Sequence, residues 1–481
     1  MEREIHIVML PWLAFGHMIP FFHLSLALAK QGIRISFVST PKNITRLPKV
    51  PAELAHLINL VKLPLPNVAT SNYILPNDAE ATVDLLPENV QYLKIAYDLL
   101  AQPFKQFVSG QLPDWIIVDL IPHWAVDVAQ ECGVPLIFFS AYNAAALAFV
   151  GPPEFLTGDA QKRVRPSPES LTISPEWISF RSSVAFRMYE AIGFHPGLYG
   201  ENASEIKDAQ RVASVIQGCY AMAIRSCPEV EGEYLNLLGN IFGKPVIPVG
   251  LLPPAPPGER ENVVPWNLMF NWLDKQKARS VVFVGFGSEC KLSKDQVNEI
   301  AYGLEMSELF FIWVLQKPDW TSHDVTTATP PGFTQRTAEK GVVHVGWAPQ
   351  KEILAHPSIG GSLFHCGWGS VIETLQYGHC LVALPFVFDQ GLTARMLVDK
   401  GLAIEVERRE DGSFSRDDIA KSLRQAMVSN EGENLRNNAK EVALVFGDQK
   451  LHQEHYIGEF AQFLKNGIVD IDGNTGKNSE K

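Results

Sequence analysis

"IHIVMLPWLAFGHMIPFFHLSLALAKQGIRISFVST", residues 5–40, contains three hydrophobic rhythms in succession. "IHIVML" (5–10) is continuously apolar, as a strand covered on both faces is. "IPFFHLSLALAKQG" (19–32) places Phe22, Leu26 and Ala29 on one helical face and stops at Gly32, a residue suited to closing a helix. "IRISFVST" (33–40) alternates, with Ile33, Ile35 and Phe37 on one side. Strand, helix and strand in so short a run make a βαβ unit, which builds parallel sheets covered by helices.

The same grammar recurs at "DWIIVDLIP" (114–122), "VPLIFFS" (134–140), "SVVFVGFGS" (280–288), "GVVHVGW" (341–347), "GGSLFH" (360–365) and "LVALPF" (381–386). Between the halves, "KPVIPVGLLPPAPPGERENVVPW" (244–266) carries seven prolines in 23 residues, which neither a sheet nor a helix continues through. The expected organisation is an α/β domain over 1–245, a Pro-rich linker over 246–265 and a second α/β domain over 266–450. A C-terminal helix over 451–466 is expected to pack back on the first domain, and the polar tail 467–481 to be disordered. The chain has 481 residues, enough for two cores, since single cores stop growing near ~250 to 300 residues. Sites in such sheets form at the carboxyl ends of strands, and a cleft between two domains suits a two-substrate reaction.

Composition narrows the partners. With 46% apolar and 20% charged residues the chain is an ordinary globular protein. A net charge of −12 without a basic run argues against nucleic acid or an anionic membrane, so an anionic ligand must be held by local geometry. The six cysteines, at 132, 219, 227, 290, 366 and 380, form no C-x-x-C pair and point to free thiols in a reducing compartment. "MEREIHIVMLPW" lacks the basic start of a signal peptide, and "GVPLIFFSAYNAAALAFVG" (133–151) reads as a buried strand and helix, not as a membrane span. The expectation is a cytoplasmic monomer with no integral membrane segment.

Four stretches can carry chemistry. In "PWLAFGHMIP" (11–20), His17 sits beyond the first strand, just before its helix, where a general base or a merely packed loop histidine both fit. Asp119 ends the apolar strand of "WIIVDLIPHW" (115–124), where an unpaired charge is costly. Its partner is His17, as a carboxylate orienting a base, or else a helix cap or structural ion pair. "VGFGSE" (284–289) lets backbone approach a phosphate, with Ser288 as a donor, but it also reads as a tight turn. "HCGWGSVIE" (365–373) follows a strand and leads into a helix expected to begin after Ser370, which suits an anion at His365, Gly367, Gly369 and Ser370. A zinc site lacks further ligands at regular spacing, and Cys366 as a nucleophile lacks flanking charge. Glu373 lies one turn into that helix.

From Trp347 to Gln390 the chain reads "WAPQKEILAHPSIGGSLFHCGWGSVIETLQYGHCLVALPFVFDQ". This resembles the signature box of plant UDP-sugar-dependent glycosyltransferases in residue types and spacing. Resemblance extends through "GHMIP", "WIIVD", "DAEATVD" (78–84), "IRSCPE" (224–229), "KPVIPVGLLPP" and "NWLDKQKARSVVFVGFGSE" (271–289), and looks like the rhamnosyltransferase-like branch that adds sugars to existing sugars. It implies the GT-B architecture, two Rossmann-like α/β domains facing across a cleft, with the acceptor on the first and the UDP-sugar on the second. By motif position Trp347 stacks on uracil, Ala348 contacts it through backbone, and Gln350 and Glu373 bond the ribose. His365, Ser370 and Ser288, with Gly367, match the diphosphate positions; Trp368, Asp389 and Gln390 match those facing the sugar hydroxyls. His17 corresponds to the base and Asp119 to its orienting carboxylate. Gly369 departs from the family, which has asparagine there, so one side-chain contact near the phosphates is missing.

The implied reaction is inverting transfer of rhamnose, glucose or xylose from a UDP-sugar to a terpenoid, steroid or flavonoid glycoside. UDP-sugar is co-substrate, and neither a metal nor a further cofactor is expected. The alternatives are a glucosyltransferase acting on an aglycone hydroxyl, a nicotinamide-dependent oxidoreductase and a non-catalytic binder. "VGFGSE" lacks the dinucleotide fingerprint the oxidoreductase requires. A binder needs no base with an orienting carboxylate. Acceptor-contacting residues, in loops such as "FLTGDAQKRVRPSPES" (155–170), are not readable.

Overall fold

A computed structural model describes residues 4–70, 73–158, 165–258, 264–318 and 324–478. Parts of three expected segments lie outside the described residues: 159–164 of the acceptor-side loop, 259–263 of the linker and 479–481 of the tail.

The first half folds around β1 (His6–Leu10), β2 (Arg34–Ser39), β3 (Ile58–Lys62), β4 (Trp115–Val118), β5 (Leu136–Ser140), β6 (Ala221–Ile224) and β7 (Val246–Pro248). They lie in the order β3-β2-β1-β4-β5-β6-β7, and every pairing is parallel. Alternate residues of one strand feed different cores. Val8 and Leu10 join one apolar layer, while Ile7 and Met9 join the layer on the other face with Ile33, Ile35 and Phe37. A sheet buried on both faces explains why its strands read as unbroken apolar runs.

The second half repeats the plan with β8 (Val281–Gly285), β9 (Phe310–Leu315), β10 (Gly341–Val345), β11 (Ile359–Phe364), β12 (Cys380–Ala383) and β13 (Ala403–Glu405). The order is β10-β9-β8-β11-β12-β13, again parallel throughout. The chain is therefore an α/β protein of GT-B architecture. Both capping boxes legible in the sequence form: Ser293 with Gln296, and Ser415 with Asp418.

Several boundaries differ from expectation. The helix after β1 begins at Phe15, so His17 lies in its first turn and not in a loop before it. Gly16 and Pro20 read as loop residues, but burial of Phe21, Phe22, Leu24 and Leu28 outweighs their poor helix propensity. Leu26, expected on the buried face, is only half-buried. The expected linker loses its start, because Val246–Pro248 pairs with β6 as an edge strand, a position that tolerates proline.

At the C-terminus the helix Ile457–Asn478 runs into the segment expected to be a disordered tail. Ile457, Phe460, Ala461 and Leu464 enter the core of the first half, and the Trp115 indole donates to the Leu464 carbonyl at 3.1 Å. The halves also meet through Asn143, whose Nδ2 donates to Thr393 Oγ1 at 3.1 Å, and through the buried Arg395, which pairs with Glu190 at 2.8 Å. Among the described residues no helix is long and apolar enough to cross a membrane.

Candidate active site

In the first sheet the strand order reverses between β1 and β4, and Leu10 pairs with Val118, so the chain leaves both strands at one point of the sheet edge. Asp119 follows β4 there and is fully buried. Three donors hold its carboxylate. Oδ2 accepts the His17 imidazole Nδ1–H at 2.8 Å and the Trp12 N–H at 3.1 Å; Oδ1 accepts the Leu120 N–H at 2.7 Å. This convergence is what a buried carboxylate requires. Since a carboxylate only accepts, the proton of neutral His17 sits on Nδ1 and the lone pair on Nε2.

The His17 side chain retains 12% exposure and meets the Tyr142 ring edge-on at 5.2 Å. Burial by itself lowers the His17 pKa. The charge and hydrogen bond of Asp119, followed by the charges of Asp389 and Glu289, outweigh burial and leave it raised above 6.5. Two of these carboxylates belong to the second half, so the histidine of one sheet lies in the field of the other.

The order of the second sheet reverses between β8 and β11, where Gly285 pairs with Phe364. After β11, Cys366 takes a positive φ of 65° and turns the chain so that Gly367 becomes the N-cap of helix Trp368–Leu375. Gly369 and Ser370 therefore belong to the first helical turn, because the helix begins at Trp368, three residues before the start read from the sequence. Their N–H groups and that of Trp368 lie among those a helix leaves unpaired. His365 packs between two glycines: an added Cβ would approach its Cε1 to 2.8 Å from Gly287 and its Nε2 to 2.7 Å from Gly367. Burial pushes the His365 pKa down to about 4, only partly offset by the Gly285 carbonyl. Near neutral pH the ring is uncharged and carries one N–H, for which the Gly285 carbonyl and an entering anion compete. Ser288 stands exposed on the loop after β8. Cys366 is fully buried, and burial raises its thiol well above the ordinary range, which makes it an inert thiol.

Farther along the same edge, Trp347 is 75% exposed, with the Trp266 ring edge-on at 5.8 Å. A flat, open indole is a surface on which a base can stack. Ala348 is buried, and its carbonyl accepts the Gln350 N–H at 2.8 Å. Gln350 Nε2 donates to Glu373 Oε2 at 2.8 Å, which brings the two expected ribose contacts together. Asp389 caps helix Gln390–Asp399, and burial pushes its pKa up to about 6. Gln390 Oε1 already accepts the Phe386 and Val387 N–H groups, both at 3.0 Å, which leaves its amide nitrogen for any further contact.

The Trp368 indole is 3% exposed and donates to the Arg225 carbonyl at 2.7 Å, so this side chain ties the halves together. A tryptophan at the first helical position, pointing back over the preceding turn, is drawn into the apolar layer with Phe446. Two groups escaped the sequence reading. Glu289, quoted within "VGFGSE" but given no role, accepts from Thr82 Oγ1 across the halves at 2.8 Å. Arg225, within "IRSCPE", is buried beside Gly369. Neither had a sequence signal, since both gain meaning only from the opposite half.

Paired parallel α/β units with their switch points turned to one another are the frame of the GT-B glycosyltransferases, and this protein is one of that class. A family model described as "UDP-glucoronosyl and UDP-glucosyl transferase" matches residues 265–452. UDP-glycosyltransferase 91A1 of Arabidopsis thaliana is 42% identical over 466 residues, covering 96% of this chain and 97% of the relative. Soyasaponin III rhamnosyltransferase of Glycine max is 39% identical over 469 residues, covering 96% of each. A solved UDP-glucosyltransferase from Polygonum tinctorium superposes with a TM-score of 0.73 at 25% identity, covering 96% of this chain and 99% of that one. The chain belongs to the plant UDP-glycosyltransferase family.

Proposed function

We propose that this protein transfers a sugar, with inversion, from a UDP-sugar to a hydroxyl of a sugar already present on a specialised-metabolite glycoside. The observation that carries the reading is the 2.8 Å pairing of His17 Nδ1 with buried Asp119, which leaves Nε2 as the base. His17 Nε2 takes the proton of the acceptor hydroxyl as its oxygen attacks the anomeric carbon. The bond from that carbon to the diphosphate oxygen breaks on the opposite face. Asp119 stabilises the imidazolium, which afterwards returns its proton to solvent. Negative charge growing on the departing diphosphate falls on the N–H groups of Trp368, Gly369 and Ser370, on His365 and on Ser288. Trp347 carries the uracil, Ala348 borders it through backbone, Gln350 and Glu373 hold the ribose, and Asp389 with the Gln390 amide faces the sugar.

Likeness to a soyasaponin rhamnosyltransferase supports a glycoside acceptor and rhamnose as the donor sugar, with glucose and xylose as the alternatives. The test is incubation with UDP-rhamnose, UDP-glucose and UDP-xylose against matched terpenoid, steroid and flavonoid glycosides and aglycones, read by mass. The expected product is a glycoside heavier by one sugar. Transfer to the aglycones alone would overturn the sugar-on-sugar reading.

A further inference from the structure

Arg225 follows β6 at the edge of the first sheet and is 2% exposed. It is fixed from two directions: its Nε donates to the Leu251 carbonyl at 2.9 Å, and its own carbonyl accepts the Trp368 indole at 2.7 Å. The remainder of the guanidinium is uncommitted. Among the described residues no carbonyl, hydroxyl or carboxylate takes a hydrogen bond from Nη1 or Nη2, and Glu373 acts on the group only through space. Burying a cation is costly, and the Leu251 carbonyl and the charge of Glu373 engage only part of this one, so its Nη donors remain available to an anion that enters beside them. Burial lowers its pKa, against the pull of Glu373, to about 10, and it remains charged at neutral pH. Its neighbour His23 is kept neutral, since burial, then Arg225 and Lys351, push it to about 3.

The position of those donors is specific. A Cβ added at Gly369, in the first turn of helix Trp368–Leu375, would lie 3.6 Å from Arg225 Nη1 and meet nothing else. An asparagine there, usual in the family this chain resembles, would extend its amide toward the space the guanidinium fills. We infer that Arg225 is a diphosphate-binding residue supplied by the first half, whose Nη donors bond phosphate oxygens of UDP at this helix N-terminus in place of the side chain Gly369 lacks. The inference rests on the UDP-sugar reading proposed above. A guanidinium presents paired N–H groups to phosphate, so the exchange replaces a neutral amide with a charged, two-pronged donor.

Binding of UDP and of uridine to the wild type and to Arg225→Gln separates phosphate contact from nucleoside contact, with calorimetry for UDP, ligand-observed NMR for uridine and thermal unfolding to confirm the fold. UDP affinity is expected to fall about 10- to 100-fold in Arg225→Gln while uridine affinity holds within about twofold. Equal loss for both ligands, or loss for neither, overturns the inference. If Arg225→Gln does not fold, Arg225→Lys carries the test, with about a 10-fold loss on UDP alone expected and the same refuting outcomes. Adding Gly369→Asn to Arg225→Gln is expected to recover part of the UDP affinity; no recovery overturns the exchange of one side chain for the other. Failure of the wild type to bind UDP would instead overturn the proposed function.

Discussion

Asp119→Asn is nearly isosteric and tests the base assignment more sharply than removing the histidine. In the native site three donors converge on one carboxylate: the His17 Nδ1–H and Trp12 N–H on Oδ2, the Leu120 N–H on Oδ1. An asparagine has one oxygen for the three. If it faces Leu120, the new NH2 meets Trp12 N–H and His17, and the imidazole must turn its lone pair to Nδ1 and carry its proton on Nε2, the nitrogen that has to act as base. If the oxygen faces His17, the NH2 confronts the Leu120 N–H and leaves a buried donor unpaired, at about 1–3 kcal/mol. Either arrangement also removes the charge that stabilises the imidazolium. Loss of base function of this kind is worth about 10²- to 10⁴-fold in rate, or about 2.7–5.4 kcal/mol of barrier. Single-turnover quench with a productive glycoside reads the chemical step directly, and UDP calorimetry checks that the donor site is intact. A single-turnover rate within about threefold of wild type, in a protein that binds UDP normally, would refute the pairing as catalytic.

The remaining predictions concern neighbouring parts of the site. A base must be unprotonated, so kcat/KM for the acceptor should fall as pH drops through the raised His17 pKa, with its acid limb above 6.5. In Asp119→Asn burial, which lowers that pKa, faces only Asp389 and Glu289, so the limb should move to lower pH; a limb that stays fixed in a rate profile counts against His17. Trp368→Phe removes the donor to the buried Arg225 carbonyl and should cost about 1–3 kcal/mol in thermal or denaturant unfolding while leaving the preference among UDP-sugars unchanged. A shift in that preference would place the tryptophan at the sugar site. Glu373→Gln weakens a contact assigned to the ribose and should lower UDP and uridine affinity by the same factor, measured as for Arg225; a loss confined to UDP would move Glu373 to the phosphates.

How far the site was legible depends on whether a residue's work is local. The capping boxes at Ser293 and Ser415 and the βαβ rhythm of residues 5–40 depend on spacing within a few positions, and they form as read. Helix starts at Phe15 and Trp368 were placed late because glycine and proline are weak helix formers, and packing of the following apolar residues overrode them. Short edge strands such as Val246–Pro248 were missed for the converse reason: their pairing comes from a neighbour distant in sequence, and their own pattern is proline-broken.

By itself the sequence determined that the chain makes two parallel α/β units and that a histidine, an aspartate and a glycine-rich turn lie beyond particular strands, because hydrophobic period and turn chemistry are local. Tertiary structure alone decided what those residues touch. Asp119 meets His17 because β1 and β4, 102 residues apart at this contact, lie side by side at the reversal of strand order. The Trp368 indole ties the halves together because the first half offers it a carbonyl. Gly369, a missing contact in the sequence, became a space beside an uncommitted guanidinium, since only the meeting of the two halves brings Arg225 there. Charge and hydrogen-bond complementarity between segments distant in sequence leaves no periodic signal in either one, and it is there that the chemistry of this cleft is settled.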